Sequence, residues 1–229
     1  MVASPARTAA RKRVQLDREV ILQAVFDLSA QGRPITFRAL GTALGADPTA
    51  VYRHFRDKDE LVRGAFDRLL TVVLERVDPD APWRDQLRQS AVATLDICEQ
   101  YPSIGAEARA LTTRGPGELG AVEHLLSQFQ RAGLDQSAAV RFYSAFSGYL
   151  LAIAATAATI VLDTNDTDPG DRSWLGDVGP VDATQFPAVA AARTELASLQ
   201  DRDVFMMGID VLLDAVETAA QPSKRSDKA

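Results

Sequence analysis

The sequence predicts an all-α protein, with a small helix-turn-helix head joined to a larger helical body. Two observations carry this reading. Apolar residues recur at three- and four-residue spacing along most of the chain, whereas strand-like alternation is scarce. Capping residues and glycine or proline breaks also separate those periodic runs at helix-length intervals. Among 229 residues, 46% are hydrophobic and 24% charged, the balance of a globular protein rather than a disordered chain. The single cysteine, Cys98, excludes an intramolecular disulfide scaffold. With only two histidines, His54 and His124, no metal site is expected.

A basic, disordered arm is expected at residues 1–15; it lacks the apolar segment of a signal peptide. Asp17 then caps a predicted helix with Val20, Ile21, Ala24, Val25 and Leu28 on one side, ended by Gly32 and Pro34. Thr36 caps a short helix with Phe37, Leu40 and Leu44 inward, and Gly45 supplies the left-handed turn after it. Asp47 and Pro48 restart the chain, a capping carboxylate followed by a proline at the first helical position. The resulting helix is short, with Val51 and Phe55 facing inward. Asp57 and Glu60, three apart, form a capping box that opens a helix to about Val77.

The run Asp78-Pro79-Asp80-Ala81-Pro82 is the clearest break, and it divides the chain into expected domains at 16–77 and 82–219. Helices are expected at 83–101, 103–112, 117–132 and 136–162, then a polar loop at 163–187. Two more helices, 188–199 and 202–218, precede a disordered tail at 220–229. Residues 142–162 carry no charge and are long enough to cross a bilayer. Their many alanines, with Ser144, Ser147, Thr156 and Thr159, fit a helix packed closely on another helix better, so no membrane segment is expected and the protein is read as cytoplasmic. The run 115–120 matches G-x-G-x-x-G, but it follows a helix rather than a buried strand. It is read as a loop capping the next helix, and no dinucleotide or other cofactor is expected.

Charge is distributed unevenly. The chain carries −6 overall, yet residues 1–58 sum to +5 and the remainder to −11. A basic end on an acidic chain suits polyanion binding at that end. Residues 36–55 have the form of a helix-turn-helix, whose second helix enters the major groove. With Val51 and Phe55 inward, Thr49, Ala50, Tyr52, Arg53 and His54 face outward. Arg53 suits guanine O6/N7 or phosphate, and Thr36, Thr49, Tyr52 and His54 are phosphate donors. Arg38 can reach a base edge or the backbone, and Lys58 opens the next helix. The spacing also fits a solvated helical hairpin in an all-α enzyme, and by itself it does not choose between the two.

The run Thr36 to Leu61 resembles the DNA-binding domain of tetracycline-repressor (TetR) family regulators. The carrying features are Leu44-Gly45-Ala46, Val51-Tyr52-Arg53-His54-Phe55 and Lys58-x-Glu60-Leu61, and the match extends over about 16–70. The resemblance implies a non-enzymatic, ligand-responsive repressor, released from a palindromic double-stranded DNA operator by a small apolar effector. It also places Arg38, Thr49, Ala50, Tyr52, Arg53, His54 and Lys58 on family DNA-contact positions. Asp47 and Pro48 depart from the family pattern, where Ser and a basic or small residue are common. Residues 115–163 resemble one C-terminal type of the family. A homodimer is expected through the helices near 136–162 and 202–218. The expected pocket draws on Leu95, Cys98, Ile104, Phe129, Phe142, Phe146 and Tyr149 for its walls, with His124, Gln128 and Tyr143 as polar contacts. No basic neighbour lowers the pKa of Cys98, which is read as an inert buried thiol. The alternative is an all-α enzyme or small-molecule carrier using the same cavity.

Overall fold

The computed structural model describes residues 16–108, 112–163 and 179–221, and every regular element among them is helical. The expected arm at 1–15, most of the expected loop at 163–187 and nearly all of the tail lie outside the described residues.

Three short helices and the start of a fourth form the head. Helix α1 (Arg18–Ala30) begins where Asp17 Oδ1 accepts the Val20 N–H at 2.9 Å, and it buries Ile21, Leu22, Ala24, Val25 and Leu28. Helix α2 (Phe37–Leu44) begins at Thr36, whose Oγ1 accepts the Ala39 N–H at 3.1 Å. It ends at Gly45, where φ is +61°, a conformation that strains any residue with a Cβ. Helix α3 (Pro48–Tyr52) is capped by Asp47, and α4 (Lys58–Glu75) by Asp57. The expected capping box forms one residue out of register. Asp57 Oδ1 accepts the Glu60 N–H at 2.7 Å, but Glu60 reaches back to the Arg56 N–H at 2.9 Å rather than to that of Asp57.

Helix α5 (Trp83–Gln100) follows the turn at 78–82, which is tied down by side chains of α5. Gln86 donates to the carbonyls of Pro79 and Ala81 at 2.9 and 2.8 Å, and Gln89 accepts the Asp78 N–H at 2.7 Å. One apolar core runs from Ile21 through the inner faces of α4 and α5 to Val216, so burial is continuous across this turn.

The helix expected at 103–112 is a single turn, α6 (Pro102–Gly105). Pro102 holds Tyr101 out of the helical region, at φ −123° and ψ 64°, and so separates α6 from α5. By 112–114 the chain is irregular; residues 109–111 are not described. Helix α6 joins head to body: Ser103 donates to the Arg33 carbonyl at 2.8 Å, and the Ile104 N–H donates to Ser29 Oγ at 3.2 Å.

Helices α7 (Pro116–Arg131) and α8 (Gln136–Asp163) complete the body with α4 and α5. Helix α9 (Pro187–Ser198) buries none of its residues. Helix α10 (Asp201–Ala220) lies along α5 and α8. Arg84 of α5 pairs with Asp214 at 2.6 Å and Glu217 at 2.9 Å, and Arg202 pairs with Asp96 at 2.7 Å. Gly208 allows close contact with α8, because a Cβ there would collide with the Tyr149 ring and hydroxyl. Only 28% of the most apolar window of α8 is buried within the chain. Its exposed side carries Ser144, Ala145, Gly148 and Thr156, beside exposed Met207 and Val211 of α10.

Candidate nucleic-acid interface and interior cavity

Each outward residue of α3 is set by an inward one. Val51 and Phe55, 0% and 1% exposed, anchor the helix in the head core. That leaves Tyr52 and Arg53 in solvent, Tyr52 at 54% exposure. The Tyr52 ring lies flat on Phe37 of α2, with centroids 3.9 Å apart and planes 8° apart, so its direction is fixed by stacking. Arg38 is exposed on α2, and neither it nor Arg53 forms an ion pair with a described residue.

Asp47 serves as a local cap. Its Oδ1 accepts from the Thr49 hydroxyl at 2.6 Å and the Thr49 N–H at 2.8 Å. These bonds, with a smaller contribution from the Arg53 charge, hold its carboxyl below the usual range. Thr49 is therefore partly occupied by Asp47, while Ala50 and His54 are half-buried. Thr36 uses an Oγ lone pair as the α2 cap and keeps its proton. Lys58 is engaged, its Nζ 3.1 Å from Glu107 Oε1 just beyond α6.

Sequence reasoning missed the groups that hold α3 from behind. Arg18 of α1 donates to the His54 carbonyl at 2.6 Å, pairs with Glu60 at 3.2 Å and lies 4.1 Å over the Phe55 ring centroid. Glu60 also accepts from Arg56 Nε at 3.1 Å; the Arg56 backbone and side-chain bonds, with Arg18 adding, lower its pKa to about 2. Arg18 is 36 residues from His54, beyond the reach of helical periodicity.

A cavity of about 90 Å³ lies among α4, α5, α7 and α8. Of the residues expected there, His124 and Tyr143 line it. Leu95, Cys98, Ile104, Phe129 and Phe146 are fully enclosed in the surrounding core and do not. Burial pushes the Cys98 thiol up to about 12, the environment of an inert sulfur. Gln128 is buried and accepts from Arg131 at 3.1 Å, and Phe142 packs near Phe129. Tyr149 belongs to the α8–α10 seam, where its hydroxyl donates to the Phe205 carbonyl at 3.2 Å. The sequence reading overlooked the wall supplied by α4, with Phe66, Leu70, Val73 and Leu74, and also Glu118 and Ser147. The spacing of Phe66, Leu70 and Val73 does mark an inward stripe, but a stripe does not distinguish core from cavity wall.

His124 Nε2 lies 3.1 Å from Ser90 Oγ, which already donates its proton to the Gln86 carbonyl at 2.8 Å. The Ser90 oxygen is therefore left to accept from His124 Nε2–H. Burial, and to a smaller extent the Arg131 charge, lower the His124 pKa.

Comparison with known proteins gives a consistent result. A family model described as "Tetracyclin repressor-like, C-terminal domain" matches residues 77–220. The HTH-type transcriptional repressor Rv1353c of Mycobacterium tuberculosis is 25% identical over an alignment of 248 positions, covering 99% of this chain and 90% of the relative. The structure of the transcriptional regulator SCO7222, a TetR from Streptomyces coelicolor, superposes with a TM-score of 0.71 at 26% identity, covering 90% of this chain and all of the other. ActR from the same organism, solved in complex with actinorhodin, has a TM-score of 0.73 at 18% identity, covering 91% and 100%. At that identity the likeness to ActR speaks for the fold alone.

Proposed function

This chain belongs to the tetracycline-repressor (TetR) family of DNA-binding transcriptional regulators, and from that premise we propose that it is a homodimeric cytoplasmic repressor released from its operator by a small molecule. The observation that carries the reading is the presentation of α3. Its apolar side is locked into the head, and Tyr52 and Arg53 stand in solvent beside Arg38. Residues 16–77 act as the reading head, with Tyr52, Arg53, Arg38, Thr36, Thr49, Ala50, His54 and Lys58 toward DNA. Residues 82–219 act as the sensing and pairing body.

Two copies associate through α8 and α10, whose exposed sides carry small and apolar residues. A two-fold pair then presents two α3 helices to half-sites about 34–36 Å apart. The effector occupies the cavity among α4, α5, α7 and α8 and favours a dimer whose heads no longer match that spacing. It shifts the equilibrium only by its differential affinity for the two states. The relation to Rv1353c, named a repressor, supports repression.

A gel-shift with the intergenic DNA beside its own gene tests the reading. A retarded complex is expected at low salt, and free DNA at micromolar protein would contradict it. An enzymatic use of the cavity has less support, because among the described residues Glu118 and His124 are its only titratable groups apart from Tyr143, and Glu118 is bonded to the loop before α7.

A further inference from the structure

Ser147 stands apart from the other hydroxyl residues of α8. Ser144, Thr156 and Thr159 each donate to the carbonyl four residues back, at 2.9 Å. Ser147 makes no such bond; its Oγ is buried, has no hydrogen-bond partner among the described residues, and belongs to a residue of the cavity wall. A buried hydroxyl left unpaired costs about 1–3 kcal/mol, so a group that completes it gains affinity. Ser90 and Thr94, the other serine and threonine of the wall among the described residues, already donate their protons inside the protein. Ser90 donates to the Gln86 carbonyl at 2.8 Å, Thr94 to the Ser90 carbonyl at 2.8 Å, and His124 to Ser90.

The charges of the wall narrow the ligand further. No lysine or arginine lines the cavity among the described residues, and its one carboxylate is Glu118. An anion entering there would lose its hydration with no cation to meet it. A cation would compete for Glu118, whose Oε2 already accepts the Arg114 N–H at 2.6 Å. The rest of the wall is mostly hydrocarbon, from Leu70, Val73, Val122, Leu125 and Leu150 among others. The volume of about 90 Å³ is below the roughly 150 Å³ that accepts benzene. The cavity therefore favours a molecule smaller than benzene.

Resting on the effector reading above, we infer that the cavity takes an uncharged, mostly hydrocarbon molecule whose single hydroxyl or carbonyl group hydrogen-bonds to Ser147. Four probes of one size test this against the full-length protein: 1-butanol, 2-butanone, butylammonium and propanoate, followed by ligand-observed saturation-transfer NMR. The alcohol and ketone bind saturably, and both charged probes bind at least about tenfold more weakly. Ser147→Ala, a small change on a helix, weakens the alcohol by about three- to tenfold, the loss of one hydrogen bond. Ser147→Thr retains a hydroxyl and restores part of that loss. Equal or tighter binding of either charged probe, an alcohol affinity unchanged by Ser147→Ala, or binding of none of the four overturns the inference. Release of DNA is read separately, by fluorescence anisotropy on a duplex selected by the protein from a random pool. Selective binding of 1-butanol that leaves the duplex bound sinks the effector reading while the ligand class stands.

Discussion

Asp67, in the middle of the helix that leaves the head, caps the helix that walls the cavity: its Oδ1 accepts the backbone N–H of Glu118 at 2.9 Å. Its Oδ2 accepts the Gly117 N–H at 3.1 Å, and its Oδ1 also accepts from the Thr113 hydroxyl at 2.7 Å. The α7 N-terminus has no side-chain cap of its own, so a carboxylate from α4 fills that role and complements the helix dipole. The contact requires a glycine at 117, where a Cβ would collide with the Asp67 carbonyl oxygen. Asp67→Ala should cost about 1–3 kcal/mol and lower Tm by several degrees in a thermal melt. Gly117→Ala should cost more, because backbone must move. A melt unchanged by either substitution would remove Asp67 from its capping role.

The outward residues of α3 make a separate prediction. Arg53→Ala should weaken operator binding by about 1–3 kcal/mol with dimer mass and Tm unchanged. Tyr52→Phe keeps the stack on Phe37 and should lose only what the hydroxyl contributes, whereas Tyr52→Ala should lose more. Anisotropy titrations on the selected duplex separate the three.

Lys58, proposed to face DNA, is paired with Glu107 in the free protein. Its ion pair with Glu107 is half-exposed on both sides, so it adds little stability. Glu107→Gln frees the amine and removes a negative charge from the DNA-facing end. DNA affinity should rise by about two- to fivefold, and the slope of log K against log salt should steepen by about one ion. In a Lys58→Gln background the slope should not respond to Glu107→Gln.

Glu60 links the head to acid stability. Its pKa of about 2 lies below the ordinary value of 4.5, because Arg56 and Arg18 bond to the ionised form. A depressed carboxylate contributes stability that is present above pH 4.5 and lost as pH falls toward 2. Melts of Glu60→Gln and the unaltered protein should therefore differ most near neutral pH and converge near pH 2. Arg18→Ala should weaken DNA binding without touching DNA, by releasing the His54 carbonyl at the end of α3.

The pairing surface is tested on α10. Met207 and Val211 are 62% and 60% exposed in the single chain and lie one turn apart. Val211→Asp should halve the mass measured by light scattering and abolish tight operator binding, while Tm falls through loss of assembly.

Much of the head was legible because its signals are local. Asp17, Thr36, Asp47 and Asp57 each cap the helix that their chemistry implies, and Gly45 takes the left-handed turn. The body was legible as helices but not as a cavity. Leu95, Cys98 and Phe129 have the composition of a pocket wall and fill the core instead, since periodicity tells which side faces in and not where packing stops. The single-turn α6 was overestimated because 103–112 has helical composition, whereas Pro102 and the tight packing of Gly105 on Cys98 are tertiary constraints. The Arg18–His54 and Asp67–Glu118 contacts span 36 and 51 residues and leave no local trace.

Hydroxyl-radical footprinting of the full-length protein on its selected duplex tests the central claim most directly. Two matching protected patches, centred about 10–10.5 base pairs apart or a whole multiple of that and both lost in Arg53→Ala, are the expected result. One patch without a two-fold mate, or protection that survives Arg53→Ala and Tyr52→Ala together, would contradict it.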